Sequence, residues 1–280
     1  MMEFAKLNTG AKMPMLGLGV FKFDENDGKK ALHAAFEAGY RSIDTASAYG
    51  NEMVVGEAIR ESGIKREELF ITTKLSNPAQ RENDVEGEFE RSLENLGLDY
   101  VDLYLIHWPV PEKYVDSWLR LEKFFKSGKA KAVGVSNFQE RHLNEMKKVW
   151  SVVPAINQIE MHPRLTQKPL ISYCVGEGIL AQSWSPLGGG KDFDFKESLF
   201  TNDILTGIGK KYGKSAAQVI LRWNIELGIV AIPKSVTATR IKENIDIFDF
   251  ALTAEEVSNI NSLNLDRRTG PDPEDFHNFF

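Results

Sequence analysis

The chain contains 280 residues, of which 42% are hydrophobic and 26% charged, and its formal net charge is −6. These proportions exclude a mostly disordered or collagen-like chain, and the acidic balance disfavours nucleic acid or anionic membranes as partners. The one cysteine, Cys174, excludes an intrachain disulfide framework. Because the sequence shows neither an apolar leader nor a run long enough to span a bilayer, we expect a cytoplasmic protein, with a monomer as the default.

Strand-like segments recur along the whole chain. The first two, residues 4–7 and 12–15, flank a turn signal and predict a hairpin. Eight short apolar runs follow, and their length and their Ile, Val, Leu and aromatic content predict buried parallel strands. These runs cover residues 16–19, 42–45, 70–74, 103–108, 132–136, 156–160, 179–184 and 229–233.

Amphipathic segments separate the apolar runs. Apolar residues at three- and four-residue spacing predict helices there, and several of these segments end at a glycine, the usual residue after a helix. The predicted helices cover residues 28–38, 52–62, 84–96, 114–126, 140–150, 167–177, 202–212, 215–227, 239–245 and 254–263.

Eight strand–helix pairs predict a (β/α)8 barrel whose bottom is closed by the hairpin. We expect a single domain over residues 1–280, with the hairpin at 1–15 and a C-terminal tail at 264–280 near the barrel mouth. The alternative fold is an open doubly wound sheet, which would need a G-x-G-x-x-G turn after its first strand. Gly17 and Gly19 match that motif but its third glycine is missing, so we favour the barrel.

Polar residues lie at the predicted carboxyl ends of the strands, where barrels of this type carry their chemistry. Asp44 and Lys74 end neighbouring strands, and neither charge should be buried without a partner. A cation about 4 Å from the Tyr49 hydroxyl, at an effective dielectric of about 20, would lower the phenol pKa from about 10 to as low as about 7. Tyr49 would then be a usable proton donor to a developing alkoxide.

Two other kinds of site are disfavoured by the sequence. A metal site could draw ligands from Asp44, His107, Glu160 and His162, but no H-x-H or H-x-x-x-H pair is present, and we expect no metal. A hydrolytic nucleophile lacks its G-x-S-x-G string, and Cys174 falls within a predicted helix.

Several strings in the sequence resemble the aldo-keto reductase family, in order and over nearly the whole chain. The short loops and the tail resemble its bacterial members, a group with diketogluconate, methylglyoxal and general aldehyde reductases. The strings are LGLG at 16–19, GYRSIDTA at 39–46, YGNE at 49–52, LDYVDLYLIHWP at 98–109, GVSNF at 134–138, NQ at 157–158, WSPL at 184–187, IPKS at 232–235 and GPDP at 270–273.

The resemblance implies NADPH-dependent reduction of small-molecule aldehydes and ketones to alcohols. It implies a catalytic tetrad in which Tyr49 is the proton donor, Lys74 is held by Asp44 and lowers the tyrosine pKa, and His107 orients the carbonyl oxygen. The alternative is a non-catalytic NADP(H)-binding sensor or subunit on the same fold, because a fold does not fix a function.

The resemblance also implies the cofactor contacts. The nicotinamide end would be held by Ser136, Asn137, Gln158 and Trp184. The pyrophosphate would lie beside Ser185, Leu187 and glycines 188–190. The adenosine end and its 2′-phosphate would be held by Lys234, Ser235, Thr237, Arg240, Glu243 and Asn244. Charge-assisted donors at a helix start suit a phosphate, so NADPH is favoured over NADH.

The sequence departs from the family pattern around the substrate. Phe21 and Ser76 stand at positions where many members carry tryptophan, so we expect a wider or more polar pocket. We expect Trp108 to form part of the remaining pocket wall. The tail aromatics Phe276, Phe279 and Phe280 are expected to form the rest.

Overall fold

The computed structural model describes residues 2–189 and 198–275. In this part of the chain an antiparallel hairpin, β1 (Phe4–Lys6) and β2 (Lys12–Pro14), precedes a sheet of eight parallel strands. The sheet strands lie side by side in chain order: β3 (Leu18–Gly19), β4 (Ser42–Asp44), β5 (Phe70–Leu75), β6 (Leu103–Ile106), β7 (Val133–Ser136), β8 (Ile156–Glu160), β9 (Leu180–Trp184) and β10 (Val230–Ile232).

The first and last strands of the sheet meet and close it into a barrel. Leu16 and Ala231 form a parallel bridge, and the amide of Gly17 donates to the Ala231 carbonyl at 2.9 Å. A Cβ atom on Gly19 would lie 3.1 Å from the carbonyl oxygen of Ile232, so glycine permits this close approach. The predicted (β/α)8 barrel is therefore confirmed, and the open sheet is rejected.

Helices surround the barrel, and their bounds agree with the amphipathic segments to within a few residues. The first helix begins three residues earlier than predicted, because the Asp24 carboxylate accepts the amides of Asn26 and Asp27. The helices are α1 (Glu25–Ala38), α2 (Glu52–Ser62), α3 (Asn77–Glu82), α4 (Val85–Leu96), α5 (Tyr114–Lys126), α6 (Glu140–Lys147), α7 (Lys168–Gly176), α8 (Asp203–Tyr212), α9 (Ala216–Glu226), α10 (Ala238–Ile245) and α11 (Ala254–Asn261).

Among the short elements that were not expected from the sequence, two lie next to candidate site residues. Helix α3 follows β5 directly, and the Ser76 hydroxyl caps it by accepting the amide of Ala79 at 3.3 Å. A three-residue 3-10 turn, Ser47–Tyr49, lies between β4 and α2. Both are too short to produce a hydrophobic period.

The hairpin covers the amino ends of the strands, as predicted. The side-chain amide of Asn8 lies 3.0–3.3 Å from the backbone carbonyls of Val153, Pro154 and Gly178, which precede β8 and β9. The carboxyl ends of the strands stay uncovered by this hairpin. The barrel interior and the layer beneath the helices form the main apolar core, and a second cluster surrounds Trp223 on α9. No helix within residues 2–189 and 198–275 is long and apolar enough to cross a membrane.

Candidate active site

Four titratable side chains converge where neighbouring strands end. Asp44 is the last residue of β4, Lys74 lies in β5, and His107 follows β6 directly. Tyr49 ends the 3-10 turn that follows β4. Parallel strands of a barrel end on one face, so residues 63 positions apart in sequence become neighbours in space.

Asp44 and Lys74 form a buried ion pair. The Lys74 Nζ donates to Asp44 Oδ1 at 2.5 Å and to the Thr45 carbonyl at 2.9 Å, and the two side chains are 0% and 3% exposed for lysine and aspartate. Burial alone would lower the lysine pKa, but the Asp44 carboxylate and the Tyr49 oxygen outweigh it, and the pKa of Lys74 is raised. The ammonium therefore stays charged, as a buried charge with two good acceptors can.

The Tyr49 hydroxyl accepts a hydrogen bond from the lysine. Lys74 Nζ lies 3.4 Å from the phenol oxygen, which leaves the O–H free to donate to another group. Burial raises the pKa of Tyr49 more than the Lys74 charge lowers it, and the negative charge of Asp44 adds to the increase. The Lys74 charge does lower this pKa, as expected, but the net change is upward, because the expectation neglected burial and the aspartate. The phenol stays protonated at neutral pH.

His107 faces Tyr49 edge to face. The two ring centroids are 5.5 Å apart and the ring planes meet at 73°. Burial, and then the positive charge of Lys74, hold the pKa of His107 well below its usual 6.5. The imidazole is neutral at neutral pH, so one ring nitrogen carries a proton and the other accepts. A neutral imidazole beside a protonated phenol gives the mouth two hydrogen-bond donors without an added positive charge.

The residues expected at the nicotinamide end lie together at the ends of β7, β8 and β9, and they are bonded to one another. Asn137, in a left-handed conformation with φ 65°, donates to the His107 carbonyl at 3.0 Å and accepts from Trp184 Nε1 at 2.8 Å. The Ser136 hydroxyl donates to the Gln158 carbonyl at 2.9 Å. Asn137 therefore connects the backbone at His107 to the indole of Trp184.

Gln158 connects this group to the ion pair. Its side-chain amide donates to Asp44 Oδ2 at 2.6 Å and to Gln182 Oε1 at 2.8 Å. Both amide hydrogens are thereby used inside the barrel, which leaves the side-chain oxygen as its acceptor. Sequence reasoning missed Gln182, although its signal was available: an amide in an apolar strand, two residues before Trp184, points to the same face as its neighbours in register.

The residues expected at the phosphates lie on the loops after β9 and β10. Ser185 has a left-handed backbone with φ 48°, and Leu187 is partly buried against the core. Gly190 lies outside the described residues. After β10, Ser235 is buried while Lys234 and Arg240 are exposed, and Thr237 precedes α10 without a side-chain cap. On that helix Glu243 is partly exposed and Asn244 is buried.

Of the predicted pocket residues, Phe21 and Trp108 lie beside the tetrad, whereas Ser76 is bonded to a helix. The Phe21 ring is 52% exposed and its centroid lies 4.9 Å from that of Tyr49, while Trp108 is buried with its ring 6.5 Å from His107. The Ser76 hydroxyl instead donates to Glu88 Oε2 at 2.6 Å, toward α4. The tail aromatics Phe276, Phe279 and Phe280 lie outside the described residues.

Glu160, considered above as a metal ligand, holds the C-terminal tail. Its Oε1 accepts from His162 Nε2, from the Thr269 amide and hydroxyl, and from the Gly270 amide, at 2.5–3.2 Å. Gly270 lies against the indole of Trp184, where a Cβ would come within 2.4 Å of the ring. Among the described residues, no three His, Cys, Asp or Glu side chains are grouped to hold a metal ion.

A parallel barrel with titratable side chains gathered at its carboxyl mouth is an enzyme architecture. The model of the aldo/keto reductase family matches residues 15–265, so the chain belongs to this family of oxidoreductases, as the sequence strings predicted.

The chain is 52% identical over 274 residues to the glyoxal reductase of Bacillus subtilis. The aligned region covers 98% of this chain and 97% of the relative. Among solved structures, an aldo-keto reductase from a Medee basin deep-sea metagenome library superposes with a TM-score of 0.92 at 42% identity, over 97% of this chain and 98% of that one. The aldo-keto reductase of Bombyx mori, solved in complex with NADP, superposes with a TM-score of 0.91 at 37% identity, over 98% and 96%.

Proposed function

We propose that this protein reduces aldehydes and ketones to alcohols with NADPH, with Tyr49 as the proton donor. The observation that carries the proposal is the Tyr49 hydroxyl, which accepts from the buried Lys74 ammonium and keeps its own proton free beside the neutral His107 ring. A carbonyl oxygen placed between Tyr49 and His107 would meet two donors. Such a preorganised pair stabilises negative charge as it develops on that oxygen.

The donor set suits NADPH. When bound, NADPH supplies the hydride for the carbonyl carbon. The side-chain oxygen of Gln158 is the acceptor that a nicotinamide carboxamide requires, since both its amide hydrogens are used within the barrel. Lys234 and Arg240 are exposed cations beside the uncapped start of α10, and such a helix start with two cations fits a 2′-phosphate.

Each member of the tetrad has a separate task in this proposal. Tyr49 passes its proton to the substrate oxygen, and the phenolate left behind is stabilised by the Lys74 ammonium at 3.4 Å. Asp44 keeps that ammonium charged and in place. The His107 N–H orients the carbonyl oxygen, because a neutral ring donates one directed hydrogen bond. Solvent then returns a proton to Tyr49.

We further propose small, reactive aldehydes as substrates. The partly exposed Phe21 ring beside Tyr49 supports an open pocket, and the identity with a glyoxal reductase supports the same class. The test is oxidation of NADPH, followed by its absorbance, with methylglyoxal and with 4-nitrobenzaldehyde, in the presence of EDTA. We expect turnover with NADPH and much less with NADH. Tight NADPH binding without oxidation by any aldehyde would favour the sensor instead.

A further inference from the structure

A partly buried carboxylate on α4 reaches into the loops that carry Tyr49 and Lys74. Glu88 Oε1 accepts from the Ser47 hydroxyl at 2.9 Å and from the Ser76 amide at 2.5 Å, and its Oε2 accepts from the Ser76 hydroxyl at 2.6 Å. We propose that Glu88 is a positioning residue for the Tyr49–Lys74 pair, a role that rests on the function proposed above.

The two serines bring one carboxylate into contact with the segments that carry Tyr49 and Lys74. Ser47 is the first residue of the turn that ends at Tyr49, and Ser76 comes two residues after Lys74. The Ser47 hydroxyl also lies 3.0 Å from the Lys74 carbonyl oxygen. Glu88 therefore joins the backbone before Tyr49 to the backbone after Lys74. The distance between the phenol oxygen and the ammonium nitrogen depends on the relative position of these two backbone segments.

The turn that carries Tyr49 is closed by two backbone hydrogen bonds, from the Tyr49 amide to the Ala46 carbonyl and from the Gly50 amide to the Ser47 carbonyl, and it has few polar side chains. It is three residues long, its preceding residue Ala46 gives no side-chain cap, and Ala48 lies between Ser47 and Tyr49. Ser47 is thus the one polar side chain of the turn besides the phenol itself. Charge-assisted hydrogen bonds to a carboxylate are shorter and stronger than neutral ones, so Glu88 is well suited to hold so short a turn.

Glu88→Ala tests this role. We expect kcat for carbonyl reduction to fall about tenfold, because a small displacement of reacting groups costs rate rather than affinity. The KM for the aldehyde and the Kd for NADPH should stay within about twofold of the parent values, since Glu88 is not among the residues assigned to either ligand. Glu88→Gln retains an acceptor oxygen for the Ser47 hydroxyl and the Ser76 amide, and it should restore most of kcat.

Glu86→Ala is the matched control, because it removes the same charge from the same helix. Glu86 pairs with Arg120 on α5, at 2.5 Å, away from both serines, so its kcat should equal that of the parent. A Glu88→Ala enzyme with a lower melting temperature and an unchanged kcat would show that Glu88 only anchors α4, and would overturn the proposal.

If Glu88→Ala does not fold, Ser47→Ala removes the hydroxyl through which Glu88 reaches the Tyr49 turn, together with its contact to the Lys74 carbonyl oxygen. A kcat about threefold lower with unchanged KM supports the proposal, and an unchanged kcat rejects it. The failure of this role is distinct from failure of the proposed function. A parent enzyme that reduces no carbonyl rejects the function, whereas an active parent with an equally active Glu88→Ala variant rejects only the positioning role.

Discussion

The two ends of the proposed site are built in opposite ways. At the tetrad, the Asp44 and Lys74 side chains are almost fully buried and each contacts several partners. At the start of α10, Lys234 and Arg240 are exposed, and neither has an ion-pair partner within the described residues. The fold thus holds the groups assigned to the chemistry through buried contacts, whereas the groups assigned to phosphate recognition face solvent. Substitutions should therefore separate turnover from affinity.

The largest effect should come from Tyr49→Phe. This change removes the proton donor and keeps the ring against Phe21, so carbonyl reduction should fall by about 10²–10⁴-fold, the usual contribution of a general acid. NADPH affinity, measured by tryptophan quenching, should stay near the parent value. Tyr173→Phe on α7 is the control, because its hydroxyl contacts only Asn144 among the described residues. Turnover within about threefold of the parent would exclude Tyr49 as the donor.

Lys74→Met should reduce turnover strongly, and Asp44→Asn less, since the lysine contacts the phenol while the aspartate acts through the lysine. Lys74→Met also leaves Asp44 buried without its cation, which costs about 3–5 kcal/mol of folding free energy. The double variant with Asp44→Asn should recover much of that stability, measured by denaturant unfolding, but not the turnover. Recovery of turnover in the double variant would mean that Lys74 serves stability alone.

Arg240→Ala should weaken NADPH binding by about 10- to 150-fold, the effect of losing one charge-assisted hydrogen bond of about 1.5–3 kcal/mol. NADH lacks the 2′-phosphate, so its affinity should change little. Raising the salt concentration should weaken NADPH binding to the parent more than to the variant, because exposed charges are screened. Lys242→Ala, two residues along the same helix, is the control. An equal loss for both cofactors would remove Arg240 from phosphate recognition.

The smallest effect should be that of pH. The pKa of His107 is held well below 6.5 and that of Tyr49 is raised above its usual 10, so neither group changes protonation between pH 7 and 9. The kcat for reduction should vary by less than about twofold across this range. It should fall at higher pH, because reduction requires the protonated phenol. A steep fall between pH 7 and 9 that is absent from Tyr49→Phe would show a Tyr49 pKa lower than the structure indicates.

The barrel was predictable because each strand and helix carries its own hydrophobic period. The side chains of Asp44, Lys74 and His107 could be placed at one face from the same pattern, since parallel strands end together. The sign of the Tyr49 pKa change could not be predicted, because it depends on how deeply the phenol is buried. Glu88 gave no signal either: its carboxylate lies on an ordinary amphipathic helix, and its partners Ser47 and Ser76 sit in elements too short to show a period.

The contact between Asn8 and the carbonyls that precede β8 and β9 has a consequence for synthesis on the ribosome. The hairpin leaves the ribosome before the backbone that it binds, which includes Gly178, made 170 residues after Asn8. At about 5–20 residues per second, that delay is about 8–34 s. The barrel likewise cannot close until Ala231 emerges to meet Leu16. Asn8 and Leu16 therefore stay without these partners until the later part of the chain has been made.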